Sequence, residues 1–360
     1  MPPSGDRFVL WAMSDAHVGS DLIKGDGRRS LSEAIEQSEG PGGFDWDVAV
    51  NLGDFSGNQG SPVDDEGEEV VRQYGALKKH RREQVYDLVG NHDASGPDEP
   101  QQWWFKKWLD PTGDNTAYSG VNASKRPFPV DGTWERYSFE AGNLLFLMMG
   151  DRNDGGPPVG RDIDGGYPAG AISSETFEWW RGKLESNPDK IIISAHHHML
   201  KETTVGSADW EGVDNLYHGR FERGAPIGAA YLYWVGEQPD TGLLEGVLAG
   251  GSDQDNTDTP AMDLWLGAHT HAHPDDEFNG RSHIETKWGV NFINVSPLTR
   301  WHMDRNRTGY PLSRVLEFTE GSDEVRVRCY LHTSQVSPRG WYPRVERTLK
   351  LRHAFRAPRA

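Results

Sequence analysis

A chain of 360 residues, 35% hydrophobic and 26% charged, is long enough for one large domain or two smaller ones. Its formal net charge of −18 excludes the positive field that non-specific binding to nucleic acid or an anionic membrane needs. The single cysteine, Cys329, excludes an intrachain disulfide framework and a thiolate-rich zinc site.

Met1–Leu10 lacks an apolar stretch of signal-peptide length, and no long apolar run follows. A cytoplasmic protein without a membrane segment is therefore expected. Fourteen Trp can supply a sizeable core, while 42 Gly and 22 Pro predict many turns and long irregular connections.

Five short apolar runs read as buried strands, and each leads directly into polar residues. Phe8–Met13 leads to Ser14-Asp15-Ala16-His17, and Val48–Leu52 leads to Gly53-Asp54. Val85–Val89 leads to Gly90-Asn91-His92-Asp93. Ile191–Ala195 leads to His196-His197-His198, and Leu264–Gly267 leads to Ala268-His269-Thr270-His271. Helices are predicted over Glu66–Gln84 and Ser173–Leu184, the latter presenting Phe177, Trp180 and Leu184 on one face. Trp103-Trp104-Phe105 with Trp108, and Trp179-Trp180, have helical spacing and read as core.

Further strands are predicted at Asn291–Val295, Arg314–Phe318 and Val325–Leu331, the last two as an antiparallel pair across residues 320–323. Strands alternating with helices and followed by a hairpin predict α/β architecture with mixed sheets and helices outside. Two stretches, at about 151–170 and 201–260, read as loop insertions, where Tyr231, Tyr233 and Trp234 could wall a leaving group. One domain is expected over residues 1–335, followed by an Arg-rich tail at 336–360 that is solvated or contacts a second subunit of a homo-oligomer. His302, beyond the last polar cluster, is a weaker pocket candidate than a core one.

Polar clusters at the carboxyl ends of successive strands would converge on one edge of the sheet. On extended backbone Asp15 and His17 would face the same side, as would His269 and His271, and His92 would face away from Asn91. Carboxylate and amide oxygens mixed with imidazoles suit a hard or borderline divalent metal. Singly, each cluster could be a turn or a core histidine; five in this order are difficult to explain as packing.

The ordered set Asp15-x-His17, Gly53-Asp54, Gly90-Asn91-His92-Asp93, His196 and Gly267-x-His269-x-His271 resembles the calcineurin-like metallophosphoesterase superfamily. Tyr137–Asn143 followed by Leu144–Leu147 resembles its mid-chain strand pair. The resemblance implies a four-layer αββα sandwich and two divalent or mixed-valence transition-metal ions (Mn, Fe, Zn, Co or Ni). It implies one ion on Asp15, His17 and His271 and another on Asn91, a strand-end histidine and His269, with Asp54 between them. His196, first after its strand, is the expected ligand, with His197 turned to substrate or to a supporting position and His198 equally a core residue. His92 would protonate the leaving oxygen, Asp93 would orient His92, and Arg152 could meet a phosphate.

The implied activity is hydrolysis of a small-molecule phosphate ester, a diester (cyclic nucleotides included) or a monoester, by a hydroxide between the ions. A nuclease or nucleotide pyrophosphatase on the same site is the alternative enzyme, and a non-catalytic binding scaffold is the alternative of another class.

Overall fold

The structure, a computed structural model, describes residues 6–19, 29–58, 60–95, 99–153, 166–209, 220–222, 225–227, 230–250, 260–295, 297–299, 311–332 and 339–358. His302 and the middle parts of both expected insertions lie outside the described residues.

Two seven-stranded mixed sheets carry the fold. In the first, Arg7–Met13 pairs in parallel with Val48–Asn51, and that strand pairs in parallel with Val85–Asp87. On its other side Arg7–Met13 pairs antiparallel with Leu312–Thr319, which forms a hairpin with Glu324–Leu331. In the second sheet Leu144–Met149, Ile191–His196, Leu264–Gly267 and Val290–Asn294 run parallel to one another. Arg136–Ala141 closes one side as the antiparallel partner of Leu144–Met149. The parallel strands are buried throughout, as at Leu144–Met149 and Ile191–His196, because elements cover both faces of each sheet.

Three apolar clusters define the layers. Leu10, Val50 and Leu316 of the first sheet meet Phe146, Ile193 and Leu266 of the second in the central core. The outer face of the first sheet, with Trp11 and Ala49, packs on Leu31, Val70 and Trp104 from the helices Ser30–Glu39, Asp64–Tyr74 and Trp103–Trp108. The outer face of the second packs Trp265 and Ile192 on Phe177, Trp180 and Leu248 from Ser174–Ser186 and Gly242–Leu248. The order is therefore helix, sheet, sheet, helix: the αββα sandwich.

Ser173 starts its helix by accepting the Thr176 amide at 3.1 Å. The helix expected to reach Gln84 instead ends at Tyr74, with Gly75 after it. The cause is a competing acceptor: the Glu39 carboxylate takes the amides of Lys78, Lys79 and His80 at 2.8, 3.0 and 3.0 Å. Those amides therefore cannot continue the helical ladder.

The carboxyl-terminal segment, read from its arginines as a solvated tail or subunit contact, packs into the fold. Arg347–Lys350 adds a strand against Glu324–Leu331, and Phe355 is fully buried in the central core. Arg352 donates from Nε to the buried Asp263 carboxylate at 3.1 Å and from its Nη atoms to the Pro260 and Lys190 carbonyls. The described parts of the second insertion also pack: Tyr231 and Tyr233 are 0% and 2% exposed, and Tyr231 donates to Asp209. Among the described residues, no helix is long and apolar enough to cross a membrane.

Arg352→Ala would leave Asp263 buried without its guanidinium and is expected to cost about 1.5–3 kcal/mol. Urea unfolding followed by far-UV circular dichroism measures this; an unchanged midpoint would show that the tail is not part of the cooperative unit.

Candidate metal centre

Four of the five strands stop just short of their polar clusters, the other keeping His196, and at three of them the backbone then turns through conformations that L-residues rarely adopt. Asp15, His17, Asp54, His269 and His271 have φ of 52°, 41°, 57°, 69° and 48°. Such strain persists only where surrounding bonds over-determine it. Here Asp15 and His17 donate their amides to the Gly53 and Asp54 carbonyls at 2.9 and 3.0 Å, and Thr299 donates to the Asp15 carbonyl. The common orientation of Asp15 with His17, and of His269 with His271, thus comes from left-handed turns and not from extended alternation.

The second and third clusters interlock through two glycines and one carboxylate. A Cβ on Gly53, whose φ is +99°, would lie 2.4 Å from the Gly90 nitrogen. Asp93, fully buried, accepts the amides of Asp54 (2.9 Å), Phe55 (2.8 Å), Ser56 (3.1 Å) and Gly90 (2.9 Å). Asn91–Asp93 forms a 3-10 turn where an extended segment was expected. The carbonyl of Asn58, and not the carboxylate of Asp93, receives the His92 Nδ1–H at 2.9 Å.

Three overlapping groups of ligand atoms result. Asp15, His17 and His271 form one, Asp54, His197 and His269 a second, and His17, Asp54 and His92 a third, all buried except the half-buried His92. His271 Nε2 lies 3.0 Å from Asp15 Oδ1 and 3.2 Å from His17 Nε2. Asp54 Oδ2 lies 3.2 Å from His197 Nε2, 3.7 Å from His17 Nε2 and 4.0 Å from His92 Nε2. Donors about 2.0–2.2 Å from one ion stand roughly 3–4.4 Å apart, from adjacent to opposite positions, so these separations suit coordination.

Backbone carbonyls fix the ring orientations. His17 and His197 donate from Nδ1 to the carbonyls of Ser56 (2.9 Å) and Leu52 (2.7 Å), leaving Nε2 of each turned to the centre with its lone pair.

Within the histidine run the structure brings His197, not His196, to Asp54 and His269. His196 is the last residue of its strand, and its Nδ1 accepts the His198 amide at 2.9 Å. Burial pushes His196 down to about 3, so it stays neutral and able to accept. Asn91 presents a buried Oδ1 that has no hydrogen-bond partner among the described residues. Arg152 pairs with Glu135 at 3.3 Å and lies over the Tyr167 ring, an arrangement of its own charge balance.

Two residues at the site were not assigned a role from the sequence. Asp151 is fully buried, 3.3 Å from His198 Nδ1, and Asn153, also buried, donates from Nδ2 to the Asn91 carbonyl. Both follow the apolar strand Leu144–Met149, the same signal that marked the five clusters.

The charges are mutually dependent. Burial opposes ionisation of Asp54, yet the imidazoles of His197, His92 and His17 hold its carboxyl well below the usual range. Burial would likewise neutralise His197, but the Asp54 and Asp15 carboxylates push it up to about 10. Burial and the neighbouring Asp54 charge raise Asp93 to about 7 against its amide donors. Buried carboxylates among imidazoles, with an amide oxygen that has no protein donor, fit divalent cations: cations would take the lone pairs that otherwise compete for protons.

A family model described as calcineurin-like phosphoesterase matches residues 8–273. No curated protein matches the chain. Among solved structures, a predicted phosphoesterase of Streptococcus pneumoniae TIGR4 shares 11% identity over 96% of this chain and 99% of that one, with a TM-score of 0.33. PhoD shares 10% over 99% and 74%, with a TM-score of 0.49. Vacuolar Protein Sorting 29 of Cryptosporidium parvum shares 11% over 96% and 98%, with a TM-score of 0.33.

A methyl group on Gly90 would sit 2.3 Å from the Asp54 nitrogen and 2.4 Å from its Oδ1. Gly90→Ala is therefore expected to displace Asp54, reduce the metal retained on dialysis, and cost ~1–3 kcal/mol in local strain. Metal analysis beside urea unfolding tests this; full metal retention would contradict the close contact.

Proposed function

Because the chain belongs to the calcineurin-like phosphoesterase family, matched over residues 8–273, we propose that it hydrolyses small phosphate esters at a centre of two divalent transition-metal ions. Family membership and the Asp/His groups together support metal-dependent phosphoester hydrolysis in general. The observation that carries the dinuclear reading is the position of Asp54 Oδ2, 3.7 Å from His17 of one triad and 3.2 Å from His197 of the other. One carboxylate oxygen lying between two triads is the arrangement that two ions sharing a ligand require.

Asp15, His17 and His271 would hold one ion, and Asn91, His197 and His269 the other, with Asp54 common to both. When bound, such ions supply Lewis acidity toward the phosphoryl oxygens and a nucleophile from water near neutral pH. The protein contributes position and proton management. Nδ1 bonds to carbonyls keep the Nε2 lone pairs of His17 and His197 directed inward.

His92 is the proton donor in this reading. Its ring meets His17 edge-on, with centroids 4.6 Å apart, and it is more exposed than the ligands, so it can face an incoming ester. The Asn58 carbonyl takes its Nδ1–H, leaving Nε2 to hold the proton for the leaving oxygen. A small organic ester fits better than a polyanion, because a net charge of −18 opposes long nucleic acid beyond the reach of the ions. Within that class a diester is the first substrate to try.

His197→Ala is expected to lose one ion, whereas His196→Ala keeps both; inductively coupled plasma analysis separates them, and the reverse pattern would restore the first-histidine assignment. His92→Ala should retain the metals while kcat for a chromogenic diester falls about 10²–10⁴-fold. Metal loss on that substitution would instead make His92 a ligand, as its place in the third group allows.

A further inference from the structure

The strand Leu144–Met149 ends beside its parallel neighbour Ile191–His196, with Met149 paired to His196. Each chain then runs two residues further, which brings Asp151 alongside His198. Both are fully buried, and Asp151 Oδ2 lies 3.3 Å from His198 Nδ1. The carboxylate is itself held by the amides of Gly170, at 3.1 Å from both oxygens, and Ala171, at 3.2 Å. His198 in turn lies against His269, with ring centroids 4.0 Å apart and planes at 36°. Two residues along from Asp151, Asn153 is 1% exposed and donates to the carbonyl of Asn91, while the Asp151 amide donates to the Val89 carbonyl at 3.2 Å.

We propose that Asp151, His198 and Asn153 form a bracket that positions the ligands of the second ion, Asn91 and His269, and thereby sets that ion's affinity separately from the first. The proposal rests on the two-ion reading above, but its test does not depend on turnover. Asn91 comes from the first sheet and His269 from the second. A segment that grips both fixes the distance across which their ion must be shared. The first triad draws on a different support: the Ser56 carbonyl orients His17. Residues that orient metal ligands typically change affinity about 10–100-fold when removed. Asp151, His198 and Asn153 are accordingly positioning residues, and they need not touch the substrate.

The 360-residue chain, stripped with a chelator, would be titrated with Mn²⁺ by calorimetry, with electron paramagnetic resonance counting spin-coupled pairs. Wild type is expected to show two binding events. Asp151→Ala, Asn153→Ala and His198→Phe should each weaken the second event about 10–100-fold and leave the first unchanged. His198→Phe keeps a ring against His269 and removes the imidazole nitrogen that faces Asp151, so its effect reports on that contact. With excess Mn²⁺ the variants should regain most of their kcat at near-normal KM, a rescue that general unfolding would not permit. Should Asp151→Ala fail to fold, the other two variants carry the same test.

Equal weakening of both events, or an unchanged second event in Asn153→Ala and His198→Phe, would overturn the bracket. Two wild-type events with no hydrolysis of any ester would refute the proposed function and leave the bracket standing.

Discussion

Everything at the site depends on the buried carboxylate of Asp93 and the four backbone amides it gathers. Three belong to the turn after the second strand and one to the turn after the third, so a single side chain joins two loops that share no strand pairing there. Each amide would otherwise be a buried donor without an acceptor, and each such group costs about 1–3 kcal/mol. The bond is possible only because Gly53 and Gly90 let the two backbones touch. Asp54 is the residue trapped between them, and its Oδ1 is also bonded by the His92 amide at 2.7 Å. The position of the central carboxylate is thus a property of the backbone before any ion arrives.

The electrostatic problem follows from that geometry. A chain of net charge −18 also buries the carboxylates of Asp15 and Asp54 at the candidate site and surrounds them with imidazoles. Buried charge without compensation is prohibitive, so protons or cations must share the space. The high proton affinity of His197 and the depressed one of Asp54 describe the proton-filled alternative. Metal ions and protons therefore compete for one set of lone pairs. The positive potential that an anionic ester requires is created locally, in a molecule whose overall field repels it.

Much of this was legible in the sequence because strand ends and ligands coincide: an apolar run followed by Asp, Asn or His locates both the strand and the site edge. Sheets, layers and the five clusters could be read that way. Which member of His196–His198 faces Asp54 and His269 could not, since it depends on whether the strand keeps its first histidine, and it does: His196 is the paired partner of Met149. The role of Asp93 was legible only as a carboxylate beside an imidazole, because backbone amides leave no mark in a residue pattern. Asn153 was passed over although it follows an apolar strand, since one amide side chain in a loop rich in Gly and Asp carries no spacing signal. The packed tail was hidden for the opposite reason: its arginines look solvated, and the acceptors that give Arg352 a place, the buried Asp263 carboxylate and the Pro260 and Lys190 carbonyls, are far away in sequence.

The first strand has a partner from the far end of the chain. Arg7–Met13 is flanked on one side by Leu312–Thr319, and the turn carrying Asp15 is tied to Leu298 and Thr299. Contacts of such sequence separation form only after a large loop has closed, and they form slowly. During synthesis Asp15 and His17 emerge long before Leu298 and Thr299, whose amides hold the Ser14 and Asp15 carbonyls. The side chains of the candidate metal centre are consequently brought together late in the life of the nascent chain. A ribosome-bound fragment displaying Asp15, His17 and Asp54 carries these side chains but lacks the later strands that bring His197, His269 and His271 to them.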